Sequence, residues 1–432
     1  MCIRDSSHAA GIGDPMREED VRAAILSRMN VHCHGHSGIR LTITETMGEM
    51  LNKGVHPVMC QKGSVGACGD LSPMSQMALA LMGEGEVFFQ NERLSAKEGL
   101  KRAGIEPVIY KERDGLATIN GSNCITGMGC LEVYDAYQLV RHQEIAAAMT
   151  LEVLHANVKA FDHRIHELRG FRGAQDCAFN LRNMLEKSNI IHNAKKKVQD
   201  AYSLRSTPQV SGAARDSLDW ARFMMETELN GCADNPTFFP EEDLVISGAN
   251  FQGTPMAFAL EMTGIATTTV SALSERRLNR LMNPNLSVGL PAYLTEGAGM
   301  FSGLMLTQYT AGSLVCENRV LCTPAAVGSI PAAADQEDFV SMGMTTAIKT
   351  RQIIDNAQCI VGIEMIAAAQ ALDFRGPHDA SPATRAAYDV IREHVEVMTE
   401  DRPTFNDLNA MAKLVRSERI IEAVKIAVGE FR

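Results

Sequence analysis

Five short polar stretches hold the residue types from which a reaction could be built. They are residues 63–73 (GSVGACGDLSP), 115–123 (GLATINGSN), 198–209 (VQDAYSLRSTPQ), 247–255 (SGANFQGTP) and 334–342 (ADQEDFVSM). In the first, Gly63, Gly66 and Gly69 surround Ala67 and Cys68, and Asp70 follows at once. Glycine reaches backbone conformations that cost other residues energy, and aspartate is a residue type that caps a helix starting immediately after it. The spacing predicts a contorted loop that delivers Ala67-Cys68-Gly69 to a helix N-terminus. There Cys68 is either a thiolate nucleophile activated by the helix end or a small buried hydrophobe. A nucleophilic thiol wants an adjacent base, and His56 is the only histidine nearby in sequence. Phosphate binding is disfavoured, because no Gly-Lys-Ser/Thr follows and Asp70 would repel the anion.

The other stretches supply complementary parts. Arg205 offers a planar two-pronged donor for a carboxylate; with Asp200 nearby it also reads as a plain ion pair. Tyr202, three residues earlier, can donate or relay a proton. Asn120, Gln199, Asn250 and Gln336 carry amides that orient without titrating, although Asn120-Gly121 alone is ordinary turn chemistry. Glu337 is a candidate base or a partner for a cationic group; beside Asp338 it equally reads as a charge pair at a helix N-terminus. His8 is a further titratable candidate. His32, Cys33, His34 and His36 alternate, which does not place ligands on one helix face, so they read as a polar helix end running into a turn at Gly35 and Gly38. No metal site is expected.

The elements that must position these residues are mostly helical. Val21, Ile25 and Met29 mark a helix over 16–30, and another covers 40–53. A helix to about Leu81 follows the glycine loop. Residues 83–118 are mixed, with GEGEVFF and IEPVIYK expected as the strands of a small hairpin. From Cys130 to Arg169 there is no Gly or Pro, which predicts one continuous helix of about 60 Å. Further long helices are expected over 256–283, 300–321 and 337–373, rich in Ala, Leu, Met and Ile, and two or three amphipathic helices over 381–432. The expectation is a mainly α chain with three parts: 1–126 with the glycine loop, a central long-helix bundle over 127–375, and a helical region over 376–432. The 432 residues carry 41 Lys+Arg against 52 Asp+Glu, a net charge of −11, so the basic footprint of a nucleic-acid binder is absent. Eleven cysteines without a Cys-x-x-Cys pair read as reduced cytoplasmic thiols. No membrane span is expected, as no uncharged apolar stretch is long enough.

Taken together and in order, the five stretches resemble the aromatic amino acid lyase family: the histidine, phenylalanine and tyrosine ammonia-lyases and related aminomutases. The resemblance runs from about Ser7 to the C-terminus. It implies a fumarase/aspartase-like fold, with a central bundle of long helices and a small loop and strand region near the active site. It also implies a homotetramer with shared active sites and a small amino acid substrate, without nucleic-acid or membrane partners. In that family an Ala-Ser-Gly tripeptide cyclises to 4-methylidene-imidazole-5-one (MIO), an electrophile. Ala67-Cys68-Gly69 stands in its place here. Cyclisation joins the Gly69 nitrogen to the Ala67 carbonyl carbon, and elimination from residue 68 then leaves a methylene. A thiol can leave as sulfide where a hydroxyl leaves as water.

By the same resemblance, Arg205 matches the carboxylate-binding arginine, Tyr202 an active-site tyrosine, and Asn120 the asparagine beside the electrophile. Gln199 and Asn250 match polar active-site positions, and Phe251 matches the aromatic residue beside the substrate. Glu337, preceded by Gln336, matches an acid typical of the histidine-acting branch. Ser7-His8 matches that branch's selectivity pair, while NFQGTP (250–255) is closer to the phenylalanine branch. The implied reaction is histidine to urocanate. The alternatives are a phenylalanine or tyrosine ammonia-lyase, an aminomutase, a cysteine-nucleophile enzyme, or a non-catalytic helical oligomer. The family's catalytic tyrosine loop lies upstream of the SHAAG-like segment, so the expectation is that it falls before residue 1 and that the sequence as written is poorly active.

Overall fold

Helices carry most of residues 7–432, which are the residues that the computed structural model describes. The chain divides into two units. One holds residues up to Val133, Trp220–Glu261 and Pro324–Thr350; the other holds Tyr134–Asp219, Met262–Thr323 and Arg351–Arg432.

In the first unit, helices Glu18–Cys33, Leu41–Lys53 and Leu71–Leu81 fall close to the expected spans. Glu18, Glu19 and Asp20 occupy the first turn of the first of these, where carboxylates suit the helix dipole. Strand Ile12–Pro15 pairs antiparallel with Cys60–Lys62, which runs straight into the glycine loop. The hairpin expected over 83–118 forms differently. Glu86–Phe89 pairs with Glu92–Ser95 on one side and Val55–Pro57 on the other, while residues 105–111 are not a strand. Gln90 and Asn91, both at positive φ, close the hairpin in two residues, the loop length that best matches strand twist. A nearby partner therefore displaces the more distant one.

The second unit is a helical bundle with one large apolar core. Ile145, Ala148, Met149 and Leu151 from one helix meet Leu181, Leu281, Ile360, Ala367, Leu372, Ile391 and Ile421 from others. The wider core holds many alanines, which allow close helix approach. One buried ion pair crosses this core. Arg277 and Glu364 are both fully buried, with Arg277 Nη2 donating to Oε2 at 2.8 Å and Thr150 Oγ1 donating to Oε1 at 2.8 Å.

The helix expected over 130–169 is broken. Asn123–Val153 is followed by a 3₁₀ turn at Val158–Phe161 and a short helix, His163–Arg169. His155 takes a positive φ of 57°. Asn157 then caps the Lys159 N–H, and Asp162 caps the Arg164 N–H. Short polar side chains offer backbone donors an alternative to helix, so the lack of Gly and Pro is not enough to continue one. The last long helix starts at Gly343 rather than 337, because residues 332–337 form an antiparallel bridge with Ala333, Ala334 and Asp335 at positive φ. Glu337 and Asp338 are thus not a helix-terminal pair. Three helices, Pro382–Arg392, Phe405–Arg416 and Arg419–Val428, cover the C-terminal region. Helices Thr254–Met282 and Gly343–Arg375 have the length and apolar content to cross a bilayer, yet most of each apolar window (61% and 83%) is buried in the protein. They read as core helices.

Candidate active site

Four of the five polar stretches meet within the first unit. Val65 O accepts the Met342 N–H at 3.0 Å, joining 63–73 to 334–342. Gly69 and Gly121 form a bridge, and the Asp70 N–H reaches Gly121 O at 2.9 Å, joining 63–73 to 115–123. Ser122 Oγ donates to Phe251 O, which brings in 247–255. The fifth stretch, with Gln199, Tyr202 and Arg205, belongs to the second unit.

The tripeptide loop is held by its backbone. Gly69 has φ +78°, and a Cβ there would lie 2.2 Å from the Gly121 carbonyl carbon, so no other residue fits. Gly66, at φ +75°, faces the Ser341 side chain in the same way. Asp70 does precede the helix Leu71–Leu81, but its side chain does not cap it. Instead Oδ1 accepts from Ser64 Oγ (2.9 Å) and Oδ2 from the Ile125 N–H (3.0 Å) at the start of another helix. Asp70 thereby ties both ends of the glycine loop to the start of the helix Asn123–Val153. Its burial pushes its carboxyl up to about 6, against the pull of the Ile125, Ser64 and Cys124 donors.

Cys68 Sγ donates to Glu337 Oε1 at 2.9 Å. An acid is therefore at the tripeptide. Asn120 is buried; its Nδ2 donates to Asn235 O, while Oδ1 has no partner among the described residues. Its backbone is extended and Gly121 bridges to Gly69, so Asn120-Gly121 is more than a turn. Phe251 is half-buried and Asn250 and Gln336 are exposed. Ser7 Oγ and His8 Nδ1 lie 3.0 Å apart. Their segment leads into strand Ile12–Pro15, and a Cβ on Gly63 would lie 3.0 Å from Gly11 Cα. The Ser7-His8 segment thus enters beside the glycine loop.

In the second unit, Arg205 stacks its guanidinium over the Tyr202 ring, 4.8 Å from the centroid. The buried Arg205 Nε has no partner among the described residues. Asp200 takes the Asn157 N–H at 2.6 Å, so no Asp200–Arg205 pair is seen among the described residues. Tyr202 and Gln199 are exposed. His32, from the histidine run, is packed inside, with Nδ1 2.9 Å from Thr44 Oγ1 and its pKa lowered to about 3 by burial and the nearby Arg28 charge. His36 Nδ1 pairs with Phe238 O at 2.6 Å.

Sequence reasoning missed the buried Arg28 and Asp234 and the partly buried Arg113, which are hydrogen-bonded behind Asn120. The only local signal was the charge of Arg28 within an apolar helix pattern, which is weak; Arg113 and Asp234 lie in a turn and a loop and carry none. The residues around Ala67-Cys68-Gly69 fit a cyclised tripeptide. The glycine at position 69 is sterically required, the flanking backbone is anchored at Asp70 and Val65, and an acid reaches position 68.

A profile described as aromatic amino acid lyase matches residues 5–393. A histidine ammonia-lyase of Alkaliphilus oremlandii is 48% identical over 98% of this chain and 83% of that protein. One from Symbiobacterium thermophilum is 46% identical over the same shares. Among solved structures, histidine ammonia-lyase from Trypanosoma cruzi is similar with TM-score 0.93 at 37% identity, covering 98% of this chain and 81% of that one. Tyrosine aminomutase from Streptomyces globisporus is similar with TM-score 0.94 at 36% identity, covering 99% and 85%.

Proposed function

The chain belongs to the aromatic amino acid lyase family, as a mainly helical, fumarase/aspartase-like carbon–nitrogen lyase that eliminates ammonia; from that premise we propose that its substrate is L-histidine and its product urocanate. The observation that carries this reading is the Cys68–Glu337 contact, which sets a carboxylate beside the tripeptide. An imidazole ring has two nitrogens to satisfy, and Glu337 and His8 are polar partners for them. The histidine ammonia-lyase names of the relatives at 46–48% identity support the same substrate.

Ala67, Cys68 and Gly69 are the residues that would form MIO, which when present supplies an electrophile that makes the substrate's amine a better leaving group. The chain's own groups take the other tasks. Arg205 holds the substrate carboxylate through paired N–H donors, and Tyr202, stacked against it, relays a proton at its phenol oxygen. Asn120 Oδ1 accepts an amine N–H. Glu337 accepts the imidazole N–H, with Gln336 next to it. Gln199 and Asn250 orient the substrate by amide hydrogen bonds, Phe251 flanks its ring, and Ser7-His8 completes the ring's polar contacts. We place these groups in shared sites of a cytoplasmic homotetramer; the ten described cysteines are all free, which suits a reducing compartment.

The test is turnover with product identification. Purified protein incubated with L-histidine, L-phenylalanine and L-tyrosine is expected to give urocanate from histidine at the highest kcat/KM. Cinnamate or coumarate as the preferred product would overturn the substrate. A β-amino acid as the main product would instead make the chain an aminomutase.

A further inference from the structure

Arg28 is the largest fully buried side chain of the first unit, on the helix Glu18–Cys33. Its guanidinium faces two separate backbone segments. Nε donates to Ala117 O (2.8 Å) and Nη1 to Asn120 O (2.8 Å), both in the 115–123 stretch. Nη1 also reaches Ala233 O (3.1 Å), and Nη2 pairs with Asp234 Oδ2 (2.7 Å). Asp234 Oδ1 in turn accepts the Asn235 N–H (2.7 Å) and Arg113 Nη2 (2.9 Å). The circuit closes when Asn120 Nδ2 donates to Asn235 O.

Two consequences follow for the site. The Asn120 amide nitrogen is committed to a protein carbonyl, so Oδ1, buried and without a partner among the described residues, is left as an open acceptor. The Gly121 backbone is also set by this pair: a Cβ there would lie 2.7 Å from both Arg28 Nη1 and Ala233 O. Gly121 is the residue that bridges to Gly69. A buried ion pair seldom improves stability over apolar packing, so stability alone is a poor reason for its presence here.

We infer that the buried Arg28–Asp234 pair is a positioning device that fixes the Asn120 carboxamide as an acceptor and registers Gly121 against the cyclising tripeptide. For turnover this rests on the site reading above. Lysine at position 28 keeps the charge but cannot span two segments with a planar fork.

The experiment compares Arg28→Lys, Asn120→Ala and the double variant in the full chain, reading kcat, KM and the fraction of cyclised tripeptide by intact mass. Each single variant is expected to lower kcat by about 10²-fold, the scale of a misplacement of about 1 Å, with KM within about twofold. Per cyclised chain, the double variant is expected to be no slower than Asn120→Ala alone, and Arg28→Lys is expected to accumulate uncyclised chain. Multiplying losses in the double variant, or unchanged kcat together with full cyclisation in Arg28→Lys, would overturn the inference. If Arg28→Lys does not fold, Asp234→Glu displaces the same pair by one methylene and is read identically. If the unsubstituted chain turns over no aromatic amino acid, the functional reading fails by itself. The cyclised fraction then still decides the positioning role.

Discussion

Cys68 Sγ and Glu337 Oε1 are 2.9 Å apart, although the two residues are separated by 269 positions in sequence. The loop 63–70 and the bridge at 332–337 are both irregular backbone, and each is anchored elsewhere in the same unit. Their meeting turns a glycine-rich loop into a site with a carboxylate at its centre.

Position 68 is expected to lose its sulfur. Cyclisation releases one water from the Ala67 carbonyl, and elimination releases hydrogen sulfide from Cys68. Intact mass should show both losses, and Cys68→Ser should show two waters with the same near-ultraviolet absorbance. A chain that keeps the Cys68 thiol and remains fully active would point to unmodified cysteine chemistry.

Glu337→Gln keeps the size and one acceptor but removes the charge. Histidine turnover should fall by about 10²-fold, the scale of a substrate misplaced by about 1 Å, while the cyclised mass stays unchanged. Steady-state kinetics and mass on one preparation check this. Equal activity in both would remove Glu337 from the reaction.

Asp70 gives a stability signal with a defined sign. Its folded pKa, about 6, lies above the unfolded value near 3.8. The fold prefers the protonated carboxyl, so this group's contribution is full below about pH 4 and is lost as pH rises through about 6. Asp70→Asn removes that dependence. The melting temperature of Asp70→Asn relative to the unsubstituted protein should therefore rise between about pH 4 and 6 and level off above. A flat difference would show that the carboxyl is ordinary.

In the second unit, Glu364→Gln leaves the fully buried Arg277 without its counter-charge. Breaking such a pair costs about 3–5 kcal/mol, which urea unfolding would resolve. The exposed hairpin pair Arg93–Glu86 is the control. Glu86→Gln should change stability little, because surface pairs are screened.

The helix Glu18–Cys33 was legible in the sequence through the helical spacing of Val21, Ile25 and Met29, and Leu71–Leu81 and Thr254–Met282 through long apolar runs free of interior glycine-rich turns. The break after Val153 was not, because it depends on which donors Asn157 and Asp162 find. The strand partner of Glu86–Phe89 was also missed in part, since GEGEVFF could pair with either neighbour until Gln90 and Asn91 adopted their turn.

The residue types determined the chemistry on offer: a tripeptide flanked by glycines that alone tolerate its backbone, and an arginine, amides and an acid in a fixed order. Those follow from covalent and local conformational limits, which every stretch carries in itself. The tertiary structure decided the partners. It turned Asp70 from a helix cap into a clasp on Ile125, brought Glu337 to Cys68, and put Arg28 behind Asn120. Each of these is a long-range hydrogen bond between groups able to bond elsewhere, so the choice falls to whichever donor and acceptor the packed core leaves facing each other.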